Sequence, residues 1–181
     1  MKYFKKIPGE RVYLSPISLD DIKIYAEWLN EPAVAKNIGG SHYVNSVSAC
    51  NDWFEKKAKD DFNYYFAIVK QENAEPIGCI EFIEYEHTSR IATVALFIGN
   101  KENRGKGYGT EAMKLMLGYG FDVLNFNNID LKVYDFNEQA FKSYIKAGFK
   151  EYGRRRGAYY LNNKRHDVIF MDITREDWYS L

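Results

Sequence analysis

The stretch Asn103-Arg-Gly-Lys-Gly-Tyr-Gly-Thr110 has three glycines at alternate positions, between an apolar run and an amphipathic segment. Glycine lets a backbone turn tightly and approach a ligand closely. A helix that begins directly afterwards presents unpaired N–H groups and the positive end of its dipole. Such a corner binds phosphate, and Arg104 and Lys106 add positive charge. The alternative to a phosphate-binding loop is a flexible basic turn. The position of the three glycines between a buried strand and a helix makes a simple turn less favoured.

The segments before this loop indicate a first strand, then two helices, then a run of strands. Apolar periodicity predicts helices that begin near Asp20 and near Ser46. The strands Ile77–Tyr85 and Ile91–Ile98 are almost continuously apolar, so we expect them to form a hairpin that is buried on both faces. The other strands predicted here are 11–14 and 64–69.

After the loop, helices and strands alternate. A helix is predicted from Tyr108 to about Asp122, and a second one over 137–147, with Gly148 as a left-handed stop. The predicted strands are 129–133, 149–152, 157–161 and 167–173. The order predicts an α/β (α+β) fold, in which one mixed sheet of about six to seven strands has helices on both faces. We expect residues 1–181 to form a single domain.

Two familiar phosphate loops fit this stretch poorly. The Walker pattern requires Gly-Lys-Ser/Thr after four spacer residues, which the loop lacks. The dinucleotide fingerprint requires glycine where Thr110 stands, and it belongs to the first unit of a parallel sheet. A nucleotide-binding Rossmann module therefore remains only as a third hypothesis.

Composition narrows the classes of partner. The 25 Lys and Arg residues balance 25 Asp and Glu residues, which argues against a general nucleic-acid or membrane binder. Two cysteines are too few for a disulfide framework, and neither an apolar signal region nor a membrane-length run is present, so we expect a cytoplasmic protein. The three histidines are scattered without ligand spacing, which predicts no metal site.

The loop and several later segments together resemble one family. Arg104-Gly-Lys-Gly107-Tyr-Gly109 is similar to the Arg/Gln-x-x-Gly-x-Gly/Ala loop of the GNAT superfamily of N-acetyltransferases. Val133-Tyr-Asp-Phe-Asn137, Tyr144 and Gly148-Phe149 resemble the second half of that family's coenzyme A site. The hairpin from Ile77 to Glu84 and the C-terminal stretch resemble the branch of ribosomal-protein and spermidine acetyltransferases.

The resemblance implies acetyl-CoA as co-substrate and a mostly antiparallel sheet that splays at the coenzyme. It implies that the pantetheine arm lies between 95–98 and 129–133, with an amide near Phe97 or Ile98 polarising the thioester carbonyl. It also implies a small-molecule or peptide amine as acceptor, with a homodimer as a common assembly. The pyrophosphate contacts are carried onto Arg104, Gly105, Lys106, Gly107, Gly109 and Thr110.

Two residues of the later segment have both a functional and a structural interpretation. Asn137 resembles the family's pantetheine-contacting Asn, and it is also a good N-cap for the helix that follows. Tyr144 resembles the general acid that protonates the departing thiolate. Spacing alone favours packing for Tyr144, because it shares an apolar stripe with Ala140 and Ile145; the resemblance favours the acid.

The general base is less evident. Many relatives have a Glu where Thr93 stands, and threonine cannot serve. Glu81 is the substitute, because burial in an apolar strand should raise its pKa towards a useful range. The alternatives are a structural carboxylate paired with Arg90 or a Lys, or a chain of waters. Strand alternation predicts that Glu84 points to the opposite face.

Two charged clusters have open meanings. Arg154-Arg155-Arg156 can bind an acidic acceptor or a 3′-phosphate, and a solvated strand end is the commoner meaning. Asp20, Asp21, Glu27 and Glu31 can attract a cationic amine, although a solvated helix face is favoured.

The first functional hypothesis is direct attack of an amine on acetyl-CoA, since neither Cys50 nor Cys79 has a recognisable nucleophile setting. The second is a non-catalytic acyl-CoA-binding or sensor module.

Overall fold

The computed structural model describes residues 2–59 and 64–181. Eight strands form one sheet: β1 (Ile7–Pro8), β2 (Val12–Pro16), β3 (Tyr65–Lys70), β4 (Pro76–Glu86), β5 (Ile91–Ile98), β6 (Asn128–Tyr134), β7 (Lys150–Leu161) and β8 (Lys164–Thr174). The α-helices are α1 (Ile22–Asn30), α2 (Pro32–Ala35), α3 (Val47–Ala58), α4 (Tyr108–Gly118), α5 (Glu138–Ala147) and α6 (Arg175–Trp178). None of the helices in these ranges is long and apolar enough to cross a bilayer.

The sheet has the order β1-β2-β3-β4-β5-β6-β8-β7, and only β5 and β6 run parallel. This confirms a mixed, mostly antiparallel sheet, with eight strands instead of six or seven. The short β1 was not predicted. The two segments predicted at 149–152 and 157–161 are one strand, β7, in which two register shifts interrupt the alternation that a sequence pattern would show.

Neighbouring residues of one strand point into two different cores. Ile80 and Phe82 of β4 pack with Met113 and Met116 of α4 in the larger core. Cys79, which directly precedes Ile80, packs with residues of α1 and α3 in the smaller core. Since side chains of a strand alternate between faces, the sheet separates α4 from α1 and α3. Helices on both faces are therefore confirmed.

The sheet opens between its two parallel strands. β5 and β6 pair only at their beginnings, and Thr93 opposite Asp130 is the last pair. Beyond that pair, β5 continues to pair with β4 as far as Ile98, and β6 continues with β8 as far as Tyr134. Each strand therefore keeps one free edge that faces a gap. The expected burial of the hairpin on both faces is wrong for Ile83, Glu84 and Ile91, which are exposed, and for 95–98, which are half-buried beside this gap.

Glycine and asparagine position the two helices that border the gap. Gly107 has φ 87° and is the N-cap of α4, so the loop residue before the helix has a left-handed backbone. Asn137 is the N-cap of α5, and its side chain accepts from Ala140 N. Gly148, with φ 105°, ends α5 as predicted. The helix predicted to reach Asp122 ends at Gly118 and continues as a wider turn over Tyr119–Val123.

Candidate active site

The glycine loop leaves the start of α4 open. Gly105 and Gly107 have φ of 74° and 87°, which is a region that side chains with a Cβ rarely adopt. The N-cap Gly107 makes no side-chain cap, so it leaves the first amides of α4 without the partner that Ser, Asp or Asn would supply there. These amides and the helix dipole make the corner suitable for an anion.

Arg104 holds the loop in this shape. Its Nε donates to Ile98 O at 3.0 Å, its Nη2 donates to Gly99 O, and its guanidinium makes an ion pair with Glu31. The side chain therefore braces the end of β5 against the turn between α1 and α2. Much of the charge expected from Arg104 is balanced by Glu31, which is consequently not part of a solvated acidic face.

A second set of contacts that holds the loop comes from Arg11, which directly precedes β2 and is far from the loop in sequence. Arg11 Nη1 donates to Lys106 O at 2.9 Å, and its guanidinium lies 4.4 Å from the ring centroid of Tyr108. The Glu111 carboxylate accepts from Arg11 N at 2.8 Å and from Val12 N at 3.2 Å. Sequence reasoning missed Arg11 and Glu111 and gave Glu31 a different role, because nothing in the local pattern links residues 73 to 100 positions apart.

The loop forms one wall of a cavity of about 340 Å³, which we call the loop cavity. It lies in the gap between β5 and β6 and extends to α5. The structure brings together here almost all the residues predicted to bind the coenzyme: Phe97, Ile98, Arg104, Gly105, Gly107, Gly109, Thr110 and Asn137. Lys106 lies outside this lining, and its carbonyl is the group that Arg11 binds.

Helix α5 closes the loop cavity on the other side. The hydroxyls of Thr110 and Ser143 lie 2.7 Å apart and join α4 to α5. Asn137 is both the N-cap of α5 and a lining residue, so its two interpretations are compatible. Tyr144 is 9% exposed, and burial raises the pKa of its phenol to about 12. It packs in the larger core and also lines the cavity, so packing and a contact with ligand are compatible too.

A second cavity, of about 590 Å³, lies on the α1 and α3 side of β5. We call it the aromatic cavity, because its wall includes Trp53 and Phe54 of α3, Tyr65 of β3 and Phe97 of β5. The two cavities share the lining residues Asn37, Ile38, Leu96, Phe97, Lys132 and Tyr144. They therefore meet where the sheet opens, with Tyr144 at the junction.

Comparison with known proteins decides the family. The profile of the acetyltransferase (GNAT) domain matches residues 11–150, which is more than half of the chain. The chain belongs to the GNAT acetyltransferase family.

Its relatives have two main descriptions. Spermidine N(1)-acetyltransferase of Escherichia coli K12 is 29% identical over 167 residues, which cover 92% of this chain and 88% of that one. YdaF of Bacillus subtilis, a candidate ribosomal N-acetyltransferase, is 28% identical over 101 residues, covering 56% and 55%. Spermidine N-acetyltransferase of Vibrio cholerae, in complex with CoA and spermine, has the same fold, with a TM-score of 0.86, 23% identity and coverage of 94% and 99%. The branch suggested by the hairpin and C-terminal segments is confirmed.

Glu81 of this acetyltransferase lines the aromatic cavity and not the loop cavity. Tyr144 lines both cavities. Its carboxylate forms an ion pair with Lys57 Nζ at 3.1 Å. Burial raises the pKa of Glu81, and the charge and hydrogen bond of Lys57 lower it by less. A purely structural Glu81 was expected to pair with Arg90 or with a Lys. Lys57 is such a partner, whereas Arg90 binds Asn125.

Thr93 also lines the aromatic cavity. A bulge in the neighbouring strand β4 changes which residue of β4 lies opposite Thr93. The register shifts between Phe82 and Glu84, so Glu84 pairs with Thr93 while Glu81 pairs with Ala95. Paired residues of an antiparallel ladder share a face, so Glu84 lies on the same face as Glu81. The prediction of opposite faces is wrong, because strict alternation ignores the extra residue, Ile83. On β6, Asp130 is the parallel partner of Thr93, in the last pair before the gap.

The other charged clusters of the acetyltransferase are not part of the lining of either cavity, although Glu31 pairs with Arg104 of the loop cavity. Arg154, Arg155 and Arg156 are exposed on the edge strand β7, where Arg154 contacts Glu151 and Asp167. Asp21 is buried and binds Lys2 and Tyr3, so the expected solvated face is wrong for this residue. Among residues 2–59 and 64–181 there is no group of His, Cys, Asp and Glu that could hold a metal ion.

Proposed function

We propose that residues 1–181 form one cytoplasmic N-acetyltransferase domain that transfers an acetyl group from acetyl-CoA to a primary amine by direct attack. The observation that carries this proposal is the meeting of the two cavities at Leu96, Phe97 and Tyr144. One cavity offers an anion-binding loop and the other a largely apolar space for an acceptor. A homodimer remains a prediction, which sedimentation of the full chain would test.

The residues of the loop cavity suit a coenzyme with a diphosphate and an amide-bearing arm. The open amides at the start of α4 and the loop residues 104–110 would bind the diphosphate, with Lys106 as a nearby charge. The free edges of β5 and β6 would pair with the amides of the arm, as an added strand does. Asn137 would contact the arm from the end of α5.

One amide can be chosen for the oxyanion role. Gly99 N donates to Ile77 O of β4 at 2.8 Å. Because successive amides of a strand point to opposite sides, Phe97 N–H also faces β4, whereas Ile98 N–H and Leu96 N–H face the gap. Ile98 N–H is therefore the better donor to the thioester carbonyl, and Phe97 contributes its side chain to both cavities.

Tyr144 is the proposed partner of the departing thiolate. With a pKa of about 12, its phenol is protonated at neutral pH and can donate. An ordinary thiol has a pKa of about 8.5, so the phenol would not be expected to give up its proton completely to the thiolate. Its contribution is a hydrogen bond to the sulfur as negative charge develops there, and the proton that finally reaches the sulfur comes from the attacking amine.

The amine must lose a proton, and Glu81 is the proposed base. The carboxylate lies in the wall of the aromatic cavity, and burial holds its pKa above the usual range. An ammonium that enters this apolar wall also loses solvation, which lowers its own pKa and makes the transfer easier. Small amines as acceptors are consistent with the spermidine acetyltransferases that this chain resembles.

A glycine substitution tests the coenzyme assignment. In Gly107→Val, a β-branched residue must adopt φ near 87° at the N-cap, which costs about 1–2 kcal/mol and displaces the loop amides. Acetyl-CoA affinity measured by calorimetry should fall at least about tenfold. Gly153→Val is the control, because a Cβ at Gly153 meets nothing within 4 Å. Equal affinities in two folded variants would show that the coenzyme binds elsewhere.

The second candidate function is a non-catalytic acyl-CoA-binding or sensor module, which the threonine at position 93 favours. A panel of primary amines separates the two, with release of free thiol as the readout. The enzyme should release thiol continuously with at least one amine. Tight coenzyme binding without turnover on any amine would support the sensor.

A further inference from the structure

The wall of the aromatic cavity carries little net charge. Among the described residues that line it, Glu81 is the one carboxylate and Lys132 is a cation. Glu81 is also balanced by Lys57, which bonds to it at 3.1 Å. The nearby carboxylates on the same face, Glu84 and Asp130, lie outside the described lining, although the buried Asp130 Oδ1 has no hydrogen-bond partner among the described residues. Within the described lining, a ligand with several positive charges would therefore meet one carboxylate, which Lys57 already pairs.

Apolar and aromatic groups provide most of the remaining wall. The Trp53 ring stands edge-on to Phe54 and Tyr65, with centroids 4.7 and 5.3 Å apart. Phe97 and Ile83 extend this wall along the sheet. Trp53 is 42% exposed and Ile83 is 37% exposed, although both are large apolar side chains. A cavity of about 590 Å³ lies in the range of sites that enclose a small organic molecule.

An aromatic wall can also attract cations, but the Trp53 ring in this wall already contacts a cationic side chain of the protein. Lys57 Nζ lies 5.2 Å from the centroid of Trp53, so a cation of the protein itself occupies that ring. The surface of Trp53 that remains is suited to apolar contact. The charges and the shape together favour a ligand with one ammonium group and an apolar body.

We infer that the acceptor is a monocationic primary amine with an aromatic ring a few bonds from its nitrogen, an arylalkylamine, and not a polyamine. This inference rests on the proposed function, since it assigns the aromatic cavity to the acceptor. The ring packs against Trp53 and Phe97, and the nitrogen lies towards Glu81 and the junction with the loop cavity.

Three amines test the inference: 2-phenylethylamine, n-butylamine and spermidine. The kcat/KM from thiol release should be at least about tenfold higher for 2-phenylethylamine than for the other two, because burial of a ring commonly gives such discrimination. A kcat/KM for spermidine that equals or exceeds that for 2-phenylethylamine would overturn the inference while leaving the acetyltransferase proposal intact. Calorimetric binding of the three amines to the protein saturated with CoA ranks them even without turnover.

Three variants test whether the wall of the aromatic cavity sets this preference. Trp53→Ala should reduce the ratio of kcat/KM for 2-phenylethylamine over n-butylamine by about tenfold. Lys56→Ala, at an exposed position on the same helix outside the cavity, should leave the ratio unchanged. Lys132→Glu should improve spermidine relative to 2-phenylethylamine. An unchanged ratio in Trp53→Ala, with acetyl-CoA affinity preserved, would show that the ring binds elsewhere.

Discussion

Glu81 lies between two opposing influences on its pKa. Burial in the wall of the aromatic cavity favours the neutral acid and dominates, while Lys57 favours the carboxylate. A base must be ionised to accept a proton, so activity should fall as the pH drops through a raised pKa. The acid limb of the rate profile is therefore expected above the ordinary Glu value of about 4.3.

Glu81→Gln and Lys57→Met separate a catalytic from a structural role for this carboxylate. Loss of the base should lower kcat at neutral pH by about a hundredfold and remove the acid limb in Glu81→Gln. Lys57→Met removes the group that lowers the pKa of Glu81, so the acid limb should move to higher pH. Rate profiles from pH 5 to 9 in saturating acetyl-CoA check both. If Glu81 only holds Lys57, Glu81→Gln will lower the melting temperature and leave the limb in place.

The glycine loop owes its shape to neighbouring elements more than to its own charges. Arg104 binds two carbonyls at the end of β5, whereas Lys106 contributes its carbonyl to Arg11. Arg104→Met should weaken acetyl-CoA binding by about tenfold, because hydrogen bonds from a charged donor are worth about 1.5–3 kcal/mol. Lys106→Met should change the affinity by less than about threefold, as expected for an exposed charge. Calorimetry at two salt concentrations checks this, and a larger loss in Lys106→Met would contradict it.

Local patterns predicted most of these elements because their causes are local. The helix start after Gly107, the cap at Asn137 and the stop at Gly148 depend on residues within one helical turn, and all three are where they were predicted. The bulge at Ile83 is different, because a register shift depends on how two strands pair. That shift moved Glu84 to the face of Glu81. The sequence also carried no signal for the braces at Arg11 and Glu31, which form only when distant elements meet.

The opening of the sheet places the two cavities on either side of one junction, and this arrangement has a kinetic consequence. Both substrates would have to be bound together for an amine in the aromatic cavity to reach a thioester in the loop cavity. Two cysteines do line the aromatic cavity, but burial raises the pKa of Cys79 to about 12 and also raises that of Cys50. Neither thiol is ionised at neutral pH, so neither is an effective nucleophile.

Initial rates measured over a grid of acetyl-CoA and amine concentrations should therefore give intersecting double-reciprocal lines, as a ternary complex requires. The variant with both Cys50→Ala and Cys79→Ala should keep kcat within about threefold, with only the modest loss of stability typical of a buried substitution. Mass spectrometry of the enzyme mixed with acetyl-CoA alone should show no acetyl adduct on either cysteine. Parallel lines together with an acetylated cysteine would mean that the acetyl group passes through the protein, and direct attack would then be wrong.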